Sequence, residues 1–293
     1  MRQLSFGGFR YDCRVLWQRR GSAAPVLMLS GAAQDKYAWT RQEPRLSELG
    51  TVVTVDLPGW GASDVLPSHY GMDFLADAVG HTLTELGLGT VNVMGACYGG
   101  VIALRFAQRH PERLERLALV GTQHSLPDAA RTAFQHGLDL LRRREQDKFA
   151  EGAVALFAPL RDAAVIRRRG AVARLLRRQF QQMSPDQVER FVANTERLLR
   201  HPLHGLGRAA AVPTLLVHGE HDRFTSVDHG RELAATLPGS RIAVVRNAGH
   251  MIPLERPDDF TDLLLRFFTD QSLDDLPYCS TQPCPPRSVA GTV

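Results

Sequence analysis

The most constraining stretch of the chain is Val91-Asn92-Val93-Met94-Gly95-Ala96-Cys97-Tyr98-Gly99-Gly100-Val101-Ile102-Ala103-Leu104. An apolar run of strand length leads in, and a run with helical spacing leads out. Between them lies a sharp turn with Cys97 at its tip. Glycines two residues before and two after the tip have a steric reason. The tip needs a strained backbone, and the returning helix passes so close to the strand that a Cβ at position 95 or 99 would clash. A cysteine held there is either a small buried hydrophobe or an exposed nucleophile.

The surrounding pattern alternates strands and helices. Residues 3–18 suit an antiparallel hairpin at a sheet edge. Pro25-Val26-Leu27-Met28-Leu29 reads as a strand buried on both faces and ends in the small-residue loop Ser30-Gly31-Ala32-Ala33. Residues 41–49 are expected to be helical. Thr51-Val52-Val53-Thr54-Val55 is the next strand and runs into Asp56-Leu57-Pro58-Gly59-Trp60-Gly61-Ala62-Ser63. Helical spacing covers 72–87, and the helix after Cys97 ends near His110-Pro111. Further strands are Leu117–Val120 and Ile242–Val245, the strand rhythm also resumes over Pro213–Asp222, and a closing amphipathic helix covers 257–269. Alternation of this kind argues for a mostly parallel sheet covered by helices on both faces.

These motifs resemble the α/β-hydrolase superfamily. Gly-Ala-Cys-Tyr-Gly is similar to its G-x-S-x-G elbow with Cys for Ser, Asp56–Ser63 to its D-x-P-G-x-G-x-S loop, and the Ser30-Gly31 pair stands where relatives have His-Gly. At the elbow alone, the cysteine version resembles dienelactone hydrolases and polyhydroxyalkanoate synthases. The resemblance implies an α/β-hydrolase fold with core residues 1–122 and 213–270. It further implies a triad of Cys97 as nucleophile, His250 as general base and then acid, and Asp222 as the group that orients His250. These three follow expected strands, in the chain order nucleophile, acid, histidine. The residue types suit the roles: a thiolate attacks, an imidazole exchanges protons near neutral pH, and a carboxylate selects its tautomer. The backbone N–H groups of Ala32 and Tyr98 are the expected oxyanion hole. Trp39, Trp60 and Tyr98 are candidates for the acyl pocket, with plain packing the alternative. Glu220, His218, His221 and Asp228 are bystanders on this reading.

Residues 123–212 break the strand rhythm and read as an inserted helical cap. Ser184-Pro185-Asp186-Gln187 is a helix start, with Ser as N-cap and Gln three residues on. The cap carries 16 Lys plus Arg against 9 Asp plus Glu, although the whole chain is only +4. Its arginine clusters are either solvated helix faces or a rim that steers an anionic substrate or an acyl carrier protein. Nucleic acid is not expected, since no aromatic interleaving or nucleic-acid motif is present. After Asp270 the composition suggests a disordered tail, 271–293, containing Cys279 and Cys284. No cofactor or metal is expected. No run is apolar and long enough to cross a bilayer, and no signal-peptide pattern opens the chain, so a soluble cytoplasmic protein is expected.

Three functions follow. The first is acyl transfer through an acyl-Cys intermediate on a CoA or carrier-protein thioester, as thioesterase, acyltransferase or cyclising release enzyme. The second is Cys-dependent hydrolysis of a small ester or lactone. The third is ligand binding without catalysis.

Overall fold

The computed structural model describes residues 1–18, 21–123, 125–200 and 212–283. Its centre is one sheet of nine strands: β1 (Arg2–Phe6), β2 (Phe9–Leu16), β3 (Val26–Leu29), β4 (Val52–Asp56), β5 (Val91–Ala96), β6 (Leu114–Val120), β7 (Thr214–Gly219), β8 (Arg241–Val245) and β9 (Cys279–Pro283). The spatial order is β1-β2-β4-β3-β5-β6-β7-β8-β9. Strands β4, β3, β5, β6, β7 and β8 are mutually parallel, and the hairpin β1–β2 joins antiparallel at one edge. Every residue of β3, β4, β5 and β7 is buried, as expected of strands covered on both faces.

Helices α2 (Met72–Glu85), α3 (Tyr98–Arg109) and α8 (Val227–Ala234) contribute to the core on one face of the sheet. On the other face, α1 (Glu43–Leu49), α9 (Ile252–Glu255) and α10 (Pro257–Phe268) contribute Leu46, Ile252, Phe260, Leu263, Leu264, Phe267 and Phe268. Between β6 and β7 the described residues form four α-helices, α4 (Asp128–Arg142), α5 (Gln146–Phe157), α6 (Arg169–Gln181) and α7 (Pro185–Arg200), with a core of their own around Phe149, Phe180 and Phe191. The start of α7 is as the sequence predicts: Ser184 N–H donates to Gln187 Oε1 at 2.8 Å, and Gln187 N–H to Ser184 Oγ at 3.3 Å. No described helix is long and apolar enough to cross a membrane.

Residues 271–283 differ from the expected disordered tail. Leu273, Leu276 and Cys279 are buried, and β9 pairs antiparallel with β8, covering what would otherwise be an open sheet edge. Sparse apolar residues in a polar segment carry no periodicity, but the unpaired backbone of β8 needs a partner. Cys284 lies outside the described residues.

The strand order has one reversal. The chain moves outward from β3 to β4, then returns to place β5 on the other side of β3. Loops leaving the carboxyl ends of β3 and β5 therefore diverge and open a crevice, the usual ligand position in a parallel sheet.

Candidate active site

The loop after β3 carries Ala32, and the turn after β5 carries Cys97. Cys97 has φ +51° and ψ −113°, a left-handed conformation that costs a non-glycine residue on the order of 1–3 kcal/mol. The neighbours enforce it. A Cβ on Gly95 would lie 2.3 Å from Gly99 O, and one on Gly99 would lie 2.4 Å from Leu29 O. The second clash is with β3, the adjacent strand, rather than with the strand that precedes the turn. Cys97 N–H donates to Val120 O at 2.8 Å, which pins the tip to β6. The thiol is half-buried and sits at the N-terminus of α3, where the helix dipole favours negative charge.

His250 follows β8, and Asp222 follows β7. His250 Nδ1 lies 2.9 Å from Asp222 Oδ2. The carboxylate is held on all sides. Oδ1 accepts the N–H groups of Phe224 and Thr225, both at 2.9 Å, and Oδ2 also accepts the Thr225 hydroxyl at 2.6 Å. Thr225 Oγ1 is in turn 3.0 Å from His250 Nδ1. Burial opposes ionisation of Asp222, yet the charge of His250 and these hydrogen bonds outweigh it and hold the carboxyl below its usual range. For His250 burial again opposes charge, but Asp222 and Cys97, each by charge and by hydrogen bond, raise its basicity. The imidazole is sandwiched by Phe157, stacked at 5.5 Å between ring centres, and Phe224, edge-on at 5.0 Å. The structure thus brings together the three residues named from sequence. Thr225, which has no motif of its own, joins them.

His218 lies buried beneath this group, 2.9 Å from Thr225 O through Nδ1, and its burial lowers its basicity. His221 sits apart, near Glu220 at 3.7 Å. Among the described residues no cluster of His, Cys, Asp or Glu has a metal-binding arrangement.

Ala32 N–H and Tyr98 N–H have no protein acceptor among the described residues, and both residues line cavities that contain Cys97. The two tryptophans bear on this loop. Trp39 Nε1–H donates to Ser30 Oγ at 3.0 Å, and Trp60 Nε1–H donates to Gly31 O at 3.2 Å. Trp39 also lines a cavity with Cys97 and His250, whereas Trp60 packs edge-on against Tyr98 at 5.0 Å and lines an outer, more polar vestibule. The Asp56–Ser63 loop has its own task. Asp56 accepts both Lys36 N–H and Lys36 Nζ, each at 2.6 Å, and a Cβ on Gly61 would fall 2.0 Å from Asp56 Oδ2. The motif therefore ties the end of β4 to the segment that follows Ala32.

Two cavities meet at Cys97. One, lined by Trp39, Phe180, His250, Met251 and Leu254, joins the vestibule through Gln34, Ala38 and Gln179. The other runs between Tyr98, Val101, Gln123, Phe134, Leu198 and Phe224. Ala32 and Phe157 border both.

Several cap arginines do not face solvent. Arg197 is fully buried on α7 and donates to Tyr70 O at 2.7 Å and Leu66 O at 2.6 Å. Arg190 donates to Ser63 O at 2.8 Å. Arg169 is buried against Glu255. Part of the basic excess read from the sequence is thus anchorage of the cap to the core.

The alpha/beta hydrolase fold family matches residues 24–257. A 2-hydroxy-6-oxononadienedioate/2-hydroxy-6-oxononatrienedioate hydrolase of Klebsiella pneumoniae subsp. pneumoniae is 29% identical over 252 residues, covering 83% of this chain and 86% of that protein. Among solved structures, MGS-M2, an alpha/beta hydrolase enzyme from a Medee basin deep-sea metagenome library, superposes with a TM-score of 0.83 at 18% identity, covering 93% of this chain and 99% of that one. The enol-lactonase from Burkholderia xenovorans LB400 gives 0.79 at 24% identity, covering 92% and 100%. With the family matched over most of its length, the chain belongs to the α/β-hydrolase fold family.

Proposed function

We propose that this protein hydrolyses a small-molecule ester or lactone through a covalent acyl-Cys97 intermediate. The observation that carries the reading is the His250–Asp222 contact of 2.9 Å beside a cysteine held strained at a helix N-terminus. On this reading His250 takes the thiol proton, and the Cys97 sulfur adds to the substrate carbonyl carbon. The carbonyl oxygen becomes an oxyanion, received by the N–H groups of Ala32 and Tyr98. The C–O bond to the leaving oxygen then breaks as His250 returns the proton to it. Water, deprotonated by His250, adds to the acyl-Cys carbonyl. Collapse releases the acid and restores the thiol.

Sulfur is a better leaving group than an ordinary alkoxide, so a tetrahedral adduct formed by Cys97 tends to fall back. Forward collapse is favoured when the departing oxygen is acidic, as in an enol or phenol. Enol esters, enol lactones and aryl esters are therefore the preferred class. The Klebsiella pneumoniae relative is named as a hydrolase of a small dienedioate or trienedioate and the Burkholderia xenovorans protein as an enol-lactonase, which supports this reading. The thioester and carrier-protein reading rests on the suitability of a cysteine nucleophile for thioesters and on the basic cap, and inward anchorage of Arg169, Arg190 and Arg197 weakens the second support.

The test is intact-mass spectrometry after mixing with aryl esters, enol lactones and acyl thioesters, beside Cys97→Ala. An acyl adduct from esters or lactones, absent in Cys97→Ala, is the expected result. Adducts from thioesters alone would restore the thioester reading. Equal turnover by Cys97→Ala would remove Cys97 from the mechanism.

A further inference from the structure

The two cavities at Cys97 are chemically unequal with respect to His250. The proton that His250 returns must reach the leaving oxygen, so the leaving group occupies the cavity that His250 lines. The acyl group then occupies the other, between Tyr98, Val101 and Gln123. Its walls are apolar and aromatic, including Phe134, Leu198 and Phe224. Most polar side chains at its border are already engaged. The Tyr98 hydroxyl donates to Asn194 O at 3.0 Å, the Thr195 hydroxyl to Phe191 O at 2.8 Å, and the Thr225 hydroxyl to Asp222 Oδ2 at 2.6 Å.

Gln123 differs. It is only 5% exposed, and its carboxamide oxygen has no hydrogen-bond partner among the described residues. Buried acceptors are rarely left unpaired, and Gln123 lines a cavity that is otherwise apolar, so a turn of its carboxamide towards the cavity would pair this oxygen with a ligand donor. We propose that this cavity is the acyl subsite and that Gln123 selects acyl groups carrying one hydrogen-bond donor, a hydroxyl or an amide N–H, over plain hydrocarbon acyl groups. The inference rests on Cys97 being the nucleophile of an ester or lactone hydrolase. A site that hydrogen-bonds a substrate group discriminates strongly against the analogue lacking it, because its own buried group is then left unpaired.

The experiment uses the full chain and para-nitrophenyl pentanoate, its derivatives hydroxylated at the second or third carbon, and the matching methoxy compounds. At one hydroxyl position kcat/KM is expected to exceed that of the plain ester by roughly tenfold or more, with the methoxy compound showing no such gain. In Gln123→Met, of similar length but without the amide, the ratio is expected to collapse towards one. A hydroxyl placed on the phenyl leaving group is expected to give no Gln123 dependence. Independently of any variant, the matching free hydroxy acid is expected to inhibit the wild type about tenfold more strongly than pentanoic acid. A hydroxyl preference absent at both positions, equalled by methoxy, or surviving in Gln123→Met would overturn the inference. Failure of every ester, or turnover independent of Cys97, would instead overturn the proposed function beneath it.

Discussion

Arg169 Nη1 lies 3.0 Å from Glu255 Oε1, and neither side chain has any exposed surface. The pair joins the cap to the histidine loop. Glu255 Oε2 accepts Gly249 N–H at 2.6 Å, one residue before His250. A Cβ on Gly249 would lie 1.9 Å from Arg169 Nη2, so a larger residue there would displace the buried guanidinium. Arg169 also donates to Phe157 O at 3.3 Å, and the Phe157 ring stacks on His250. Removing one partner leaves the other charge buried and unpaired. Arg169→Met is therefore expected to lose about 3–5 kcal/mol in urea unfolding. Arg169→Met combined with Glu255→Leu is expected to lose less than the sum of the single changes; additive losses would show that the two charges are not coupled.

On the proposed mechanism Trp60 acts through Gly31, whose carbonyl accepts its indole N–H at 3.2 Å. Trp60→Phe keeps the ring against Tyr98 and removes this hydrogen bond, loosening the loop that presents Ala32 N–H. On an aryl ester, kcat is expected to fall about five- to tenfold, the worth of about 1 kcal/mol, with KM little changed. A rise in KM at constant kcat would instead place Trp60 in substrate binding.

The His250–Asp222 pair sets a pH dependence of stability. Asp222 titrates below its ordinary value of 3.8 in the folded state, so its contribution is present above that value and is lost as pH falls through the lowered one. His250 titrates above its ordinary value of 6.5, so its contribution is complete below that value and is lost as pH rises through the raised one. The pair is thus most stabilising between 3.8 and 6.5. Urea unfolding across pH is expected to show His250→Gln losing stability in that window and approaching the wild type on the alkaline side. The difference between the two regions is expected to be at least about 1.4 kcal/mol, the equivalent of one pKa unit. A loss that is constant with pH would contradict the assigned shift.

The segment after α10 is structural. Deleting residues from 271 onward uncovers the β8 edge and the sites filled by Leu273, Leu276 and Cys279. Side chains of this size contribute about 1.5–3 kcal/mol each when fully buried, so a loss on the order of several kcal/mol and increased aggregation are expected by thermal unfolding and light scattering. An unchanged melting temperature would show that the segment adds nothing.

The elbow, the parallel strands and the Ser184 cap were legible because each is a local device. Gly95 and Gly99 are required by clashes within a few residues or with the next strand, buried strands show as continuous apolar runs, and the cap bonds close over three residues. The positions of Asp222 and His250 were legible by resemblance, since both stand directly after strands. The arginine clusters, Arg169 among them, read as solvated faces or a steering rim and Arg197 drew no reading, because arginine is seldom buried and nothing local marks a guanidinium whose acceptors lie in distant segments. Gln123 carries no motif at all.

Periodicity and steric clash act between near neighbours, so the succession of strands up to β8, the strained turn at Cys97 and the candidates that follow the strands were already readable in the chain. That Trp60 holds Gly31, that Arg169 clamps the loop before His250, that β9 closes the sheet and that Cys97 stands between two unequal cavities emerged with the folded structure. Those relationships depend on which distant residues share a buried space, where an unpaired charge or amide is costly enough to select its partner.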